Sequence, residues 1–179
     1  MKPTLVIVGL GNPGKQYEAT RHNAGWLALD TLAKELRAGE WTDKQKFLCT
    51  MCDAKIDGHA VLLVKPTTFM NRSGECIRKL IDFYKLDPAI QLLVLVDDID
   101  IPLGTERYRE SGGPGTHNGL KSIVETLGEG FPRFRIGIGP KPENIDLAVG
   151  VLSAITKSER RTLDESSAKV YPKLREILK

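Results

Sequence analysis

Three cysteines in 179 residues are too few to staple a fold, and an odd number cannot all pair. The one suggestive spacing, Cys49-Thr50-Met51-Cys52, lies in a strand-like segment, residues 46–56. Strand alternation would send residues 49 and 52 to opposite faces, and no second C-x-x-C completes a zinc site. Buried structural thiols are therefore expected. No apolar run approaches the roughly 20 residues of a membrane span. Pro3-Thr4 leads straight into a strand, unlike a secretory signal peptide, so a cytoplasmic protein without a membrane partner is expected. The chain also lacks G-x-S-x-G, which argues against a serine acyl-enzyme, and H-E-x-x-H, which argues against a zinc hydrolase.

One further absence removes a cofactor class. Gly9-x-Gly11-x-x-Gly14 follows the apolar run Leu5-Val6-Ile7-Val8 and fits the glycine spacing of a dinucleotide fingerprint. That fingerprint needs a helix opening inside the turn and an acidic residue closing a second strand about 20 residues on. Pro13 occupies the turn, helical periodicity starts only near Ala24, and Asp30 falls inside that helix. No nicotinamide or flavin is expected, and no other cofactor.

At 179 residues one domain spanning 1–179 is the expectation, long enough to bury about two thirds of its unfolded surface. Hydrophobic content of 41% and charged content of 27% are ordinary for a globular protein. The net charge is only +3, but its distribution is uneven. Between Arg107 and Lys141 stand Arg107, Arg109, Lys121, Arg133, Arg135 and Lys141 against Glu110, Glu125 and Glu129, so this window carries the whole excess. Either phosphate contact or a solvated face would account for it.

Strand-like runs occupy residues 4–10, 46–56, 60–65, 91–97, 105–110 and 133–138, with Asp57-Gly58 as a hairpin turn between the second and third. Helical stripes run through Leu29, Leu32, Ala33 and Leu36, and through Ile77, Leu80, Ile81 and Tyr84. A further helix is expected from about residues 116–118 to Leu127, and another from Ser158 with a break at Pro172. This interleaving predicts an α/β fold, a three-layer single domain around a mixed, mostly parallel sheet. Residues 39–44, with Trp41, and 137–144 are expected to be mobile, and 145–152 could form a lid.

Polar residues cluster after the strands: Asn12 and His22, then Met70-Asn71, then Asp97, then His117-Asn118. If the first, third and fourth strands are parallel, these residues meet at one carboxyl edge, where α/β sites form. Bland readings exist for each. Asn71 could cap the helix starting at Arg72 or Ser73, Asn118 the next one, and His22 could be structural. Asp97, Asp98 and Asp100 could be an acidic metal cluster, but without defined partner ligands no metal is expected.

The motifs themselves are Gly9-Leu10-Gly11-Asn12-Pro13-Gly14 with Tyr17 and Thr20-Arg21-His22-Asn23-Ala24-Gly25, then Lys65-Pro66-Thr67-Thr68-Phe69-Met70-Asn71-Arg72-Ser73-Gly74, then Asp97-Asp98-Ile99-Asp100-Ile101-Pro102-x-Gly104, then Gly112-Gly113 to His117-Asn118-Gly119-Leu120. In this order and spacing the chain resembles bacterial peptidyl-tRNA hydrolase along essentially its whole length. The resemblance implies a monomeric, metal-independent esterase that cuts the ester between a peptide and the 3′ ribose of tRNA. His22 matches the catalytic histidine, Asp97 its carboxylate partner, and Asn12 a further residue of the catalytic centre. Tyr17, Met70, Asn71 and Asn118 match substrate-lining positions, and Arg109 and Arg135 match positions that contact tRNA phosphates. A non-catalytic RNA-binding relative is the alternative, and retention of His22, Asp97, Asn12 and Asn71 favours catalysis. Two departures stand out: Val96 where many relatives have His, which removes a possible hydrogen bond, and Thr116 where they have Gly.

Overall fold

The computed structural model describes residues 1–179. Its strands are β1 (Leu5–Gly9), β2 (Thr42–Lys44), β3 (Cys49–Ile56), β4 (His59–Pro66), β5 (Leu92–Pro102), β6 (Glu106–Arg109) and β7 (Arg133–Gly139). Its helices are α1 (Ala24–Glu35), α2 (Ser73–Tyr84), α3 (Pro88–Gln91), α4 (Asn118–Leu127), α5 (Leu147–Val151), α6 (Lys157–Ser167) and α7 (Val170–Ile177). One seven-stranded sheet runs β2-β3-β4-β1-β5-β7-β6, with β4, β1, β5 and β7 mutually parallel and antiparallel strands at both edges.

Alternation along the central strands builds two cores. Leu5, Ile7, Leu93 and Leu95 face α1, α6 and α7, while Val6, Val8, Val94 and Val96 face α2 and α4. The expected three layers and mostly parallel sheet are therefore present, with both faces of the parallel strands covered. The hairpin turn falls at Asp57–Gly58, both with positive φ, as a two-residue turn of the primed type needs. Cys49 and Cys52 lie in opposite cores, and all three thiols are buried and free. Burial raises the Cys52 thiol to about 11, against a smaller pull from Lys65.

Several elements differ from the sequence-based expectation. Residues 42–44, expected in a mobile loop, form β2 on the sheet edge, and Trp41 stacks under Lys65, whose ammonium lies 4.4 Å from the ring centroid. The chain breaks at 168–169 and not at Pro172, which sits in the opening turn of α7, where a missing N–H costs no intrahelical bond. The strand expected to end at residue 97 continues to Pro102, with a register irregularity between Asp98 and Pro102, because Ile99 and Ile101 extend the buried alternation. Residues 137–139 belong to β7, and the lid segment holds the short helix α5.

Candidate active site

Because β1, β4 and β5 are parallel, the segments after their carboxyl ends converge, and both helical layers contribute to the meeting point. His22 comes from a 3-10 turn, Arg21–Asn23, leading into α1 on one face. His117 precedes α4 on the other, and Asp97 on β5 lies between them. Asp97 Oδ2 is 2.7 Å from His22 Nδ1, and Oδ1 is 2.6 Å from His117 Nε2. The imidazole centroids are 4.8 Å apart.

Hydrogen-bond chemistry fixes the protons. His117 Nδ1 accepts from the backbone N–H groups of Gly119 and Leu120, at 3.1 and 3.2 Å, so Nε2 bears the hydrogen and donates to Asp97. A carboxylate only accepts, so His22 Nδ1 also donates to it and His22 Nε2 is left with its lone pair. Burial alone would raise the Asp97 carboxyl, but the two imidazoles outweigh it and hold the group well below the usual carboxylate range. For His22, burial pulls the imidazole down, and the charge and hydrogen bond of Asp97 overcome this to leave it above its ordinary 6.5.

These three side chains are also the one His/Asp cluster with metal-ligand chemistry. Their contacting atoms already meet as N–H···O pairs, and His117 Nδ1 is engaged by two amides, so the donor set turns inward and not toward a shared ion. Nor do Asp98 and Asp100 form a cluster with Asp97. Asp98 pairs with Arg135 and accepts the N–H of Asp100.

The position of His22 depends on a close backbone approach. A Cβ on Gly25 would lie 2.5 Å from Leu95 O and 2.6 Å from Leu10 N, so only glycine lets α1 start against β1 and β5. Gly25→Ala is expected to cost about 1–3 kcal/mol by overpacking. At this chain length that corresponds to about 2–12 °C in Tm, measurable by calorimetry.

Asn12 is buried and locked. Its N–H donates to Asn23 Oδ1 at 2.8 Å, its carbonyl accepts from Asn23 Nδ2 at 3.0 Å, and its Oδ1 accepts the Met70 N–H at 2.7 Å. With Oδ1 so used, Asn12 Nδ2 remains as a free donor. Met70 links this half of the site to the histidines: a Cβ on Gly119 would meet Met70 Sδ at 2.7 Å and His117 Cε1 at 3.0 Å. Asn71 is exposed and has no partner within the protein, and it does not cap α2, where Ser73 Oγ donates back to Met70 O. Asn118 does not cap α4 either, because His117 does. It is exposed on the wall of a cavity of about 570 Å³ that His22, Asp97 and His117 also line. Tyr17 is half-buried in its own 3-10 turn, accepts the Thr20 hydroxyl at its carbonyl, and makes no side-chain bond to the site.

A family model described as peptidyl-tRNA hydrolase matches residues 6–179. The chain belongs to the peptidyl-tRNA hydrolase family. The chain is 52% identical over 162 residues to the peptidyl-tRNA hydrolase of Alkaliphilus oremlandii, covering 90% of this chain and 85% of the relative. It is 44% identical over 165 residues to that of Fusobacterium nucleatum, covering 92% and 84%. It superimposes on the crystal structure of peptidyl-tRNA hydrolase from Acinetobacter baumannii with a TM-score of 0.90 at 35% identity, covering 99% of this chain and 89% of the other. At Val96, one of the two departures from the usual family pattern, the side chain is wholly buried against α2 and α4, and His117 supplies the second bond to Asp97. Thr116 lies exposed on the cavity wall.

The four arginines of the basic window lie on adjacent antiparallel strands. In the β6–β7 register Arg107 faces Arg135 and Arg109 faces Arg133, so all four share one face. Arg133 is 1% exposed and serves the fold. It donates to the carbonyls of Gly112, Glu129 and Phe131 and stacks on the Phe131 ring, bracing the glycine loop before His117. Arg135 is paired with Asp98, while Arg109 is exposed, and both line the cavity. The sequence places His117 at this edge but assigns it no role, and Asn23 was not among the site residues expected there. The signal for the bonds His117 makes was its place ahead of a helical stripe, where a side-chain acceptor caps.

Proposed function

We propose that the 179 residues act as one catalytic unit that hydrolyses the ester joining a peptide to the 3′ end of tRNA, with His22 as general base. The observation that carries this reading is the His22 Nδ1 to Asp97 Oδ2 contact of 2.7 Å, which leaves Nε2 as the proton acceptor in a cavity-lining imidazole. Water is a poor nucleophile at neutral pH, and proton transfer to a positioned imidazole lowers that barrier. Nε2 takes a proton from water as its oxygen attacks the ester carbon. The tetrahedral oxyanion accepts a hydrogen bond from Asn12 Nδ2. On collapse the ribose oxygen leaves and takes the proton back from Nε2, giving free tRNA and a peptide acid. Asp97 holds the tautomer and stabilises the imidazolium, and His117 holds Asp97.

Asn71 and Asn118, exposed with free amides, are assigned to the peptide backbone, with Met70 and Tyr17 as apolar neighbours. A site built for peptide amides would reject a free ammonium, so acetyl-aminoacyl-tRNA should be cleaved in preference to aminoacyl-tRNA. In the deciding experiment, purified protein should release tRNA from acetyl-aminoacyl-tRNA equally with and without chelator, and His22→Ala should do so far more slowly. Release undiminished in His22→Ala, or abolished by chelator, would end the reading. The protein is further proposed to act as a monomer in the cytoplasm. No helix is long and apolar enough to cross a membrane.

Arg109 and Arg135 are assigned to tRNA phosphates, in unequal roles. Arg109→Ala is expected to weaken tRNA binding uniformly and to flatten the log affinity against log salt slope by about one. Arg133→Ala should lower Tm instead, since it strips a buried brace. Titrations at several salt concentrations check the first and thermal melting the second.

A further inference from the structure

α5 forms part of the cavity wall near His22 through Leu147, Ala148 and Val151, yet it is a five-residue helix with few core contacts of its own. What fixes it is the residue beside the base. The Arg21 guanidinium donates to Ser153 Oγ at 2.8 Å and to Ala154 O at 2.7 Å, and it pairs with Glu159 at 2.5 Å. Ser153 Oγ passes the contact on, donating at 2.6 Å to Gly150 O in the last turn of α5. The backbone follows the same seam: Arg21 N–H donates to Ser153 O at 3.1 Å, Ile155 N–H donates to Ala19 O at 2.8 Å, and Thr20 bridges Ala154. Glu159 is itself held in the capping box that starts α6.

We propose that Arg21 is a positioning residue that latches α5 to the 3-10 turn carrying His22, so that the cavity wall and the general base are placed by one set of contacts. Its planar fork aims fixed donors from two nitrogens at a hydroxyl, a carbonyl and a carboxylate at once, where a lysine would offer a single point charge. The Arg21 side chain is mostly buried and Glu159 only partly exposed, so the pair is not one of the solvent-screened surface bridges that contribute little. The inference rests on the hydrolase reading for its kinetic part only.

Three single variants, one double variant and a control test it. Arg21→Met should lower kcat by about 10- to 100-fold, the cost of an ångström-scale misplacement, with KM changed by less than about threefold. In the same variant without substrate, the amides of Gly150, Ser153 and Ile155 should exchange hydrogen at least about tenfold faster, while those of β1 do not change. Ser153→Ala, which leaves the Glu159 pair intact, should show the same pattern more weakly, and it carries the test if Arg21→Met fails to fold. Combining the two should cost little beyond Arg21→Met alone, since both break one linkage. Arg21→Lys should recover only part of kcat, and Arg160→Met, which breaks an ion pair within α6, should alter neither readout. Unchanged kcat in Arg21→Met, lost kcat with unchanged exchange at these amides, or multiplicative effects of the pair would each overturn the proposal. The exchange measurement needs no RNA, so a protein inactive on acetyl-aminoacyl-tRNA would refute the function and leave the latch to stand or fall on exchange.

Discussion

His22→Ala is expected to lower the rate of acetyl-aminoacyl-tRNA cleavage by about 10² to 10⁴, the contribution of a positioned general base, while the protein stays folded. Water would still reach the ester, and Asn12 Nδ2 would still face the oxyanion, so a residual rate above the uncatalysed one should persist. The pH dependence follows from which form is active. His22 must be neutral to accept a proton, and Asp97 raises its pKa above the ordinary 6.5 despite burial. The wild-type kcat/KM should therefore rise with pH through an inflection above 6.5. Removing the Asp97 carboxylate leaves burial as the main influence, so in Asp97→Ala the inflection should move below that value. An inflection that moves upward, or His22→Ala with a wild-type rate, contradicts the assignment.

The second large effect concerns the side chain of Asp97 and reverses the usual ranking of conservative and drastic changes. His117 is pinned: its Nδ1 accepts from Gly119 and Leu120, so Nε2 must donate toward position 97. In Asp97→Asn the amide oxygen is therefore turned to His117, and the amide N–H₂ faces His22 Nδ1. That nitrogen must then accept, which moves the imidazole proton to Nε2 and blocks the base. Asp97→Asn should lose about 10³ to 10⁴ in kcat, comparable to a wrong-tautomer triad, whereas Asp97→Ala should lose less than either Asp97→Asn or His22→Ala. The pin also predicts a rescue. Adding His117→Ala to Asp97→Asn frees the amide to rotate its oxygen toward His22 and should restore about tenfold or more of the lost rate. Steady-state kinetics of the two single variants and the double variant test both statements. Asp97→Asn more active than Asp97→Ala, or no gain in the double variant, would sink the relay.

Much of the site was legible because it follows strand ends. A short, β-branched apolar run closed by a glycine turn, such as Leu5 to Val8, reads as a buried strand, and the polar motifs after three such runs meet once those strands are parallel. The hairpin at Asp57–Gly58 was legible from its turn residues alone, as was the separation of Cys49 from Cys52 from the strand period. Less legible were the caps. Asn71 and Asn118 stand next to helix starts in residue type and position, but α2 has no side-chain cap, Ser73 Oγ donating to Met70 O, and at α4 it is His117 that the turn aims at the free N–H groups. The basic window was misjudged in part for a similar reason. Arg133 and Arg135 alternate identically, but Arg133 lies beneath the Gly112–Gly113 turn and Arg135 meets Asp98.

The order of elements, the two-sided burial of the central strands and the edge at which chemistry would gather were set by periodicity and turn residues, because side-chain direction in a strand depends only on local geometry. Which partners then touch depended on how layers pack. Asp97 sits 75 residues from His22 and 20 from His117, and only the meeting of both helical layers over β5 closes that chain. Likewise Arg21 reaches Ser153 and Glu159 across more than 130 residues, where no local pattern bears on the contact. Such contacts are fixed by tertiary packing, since a side chain's long-range partner is chosen by the fold as a whole and leaves no period in the sequence.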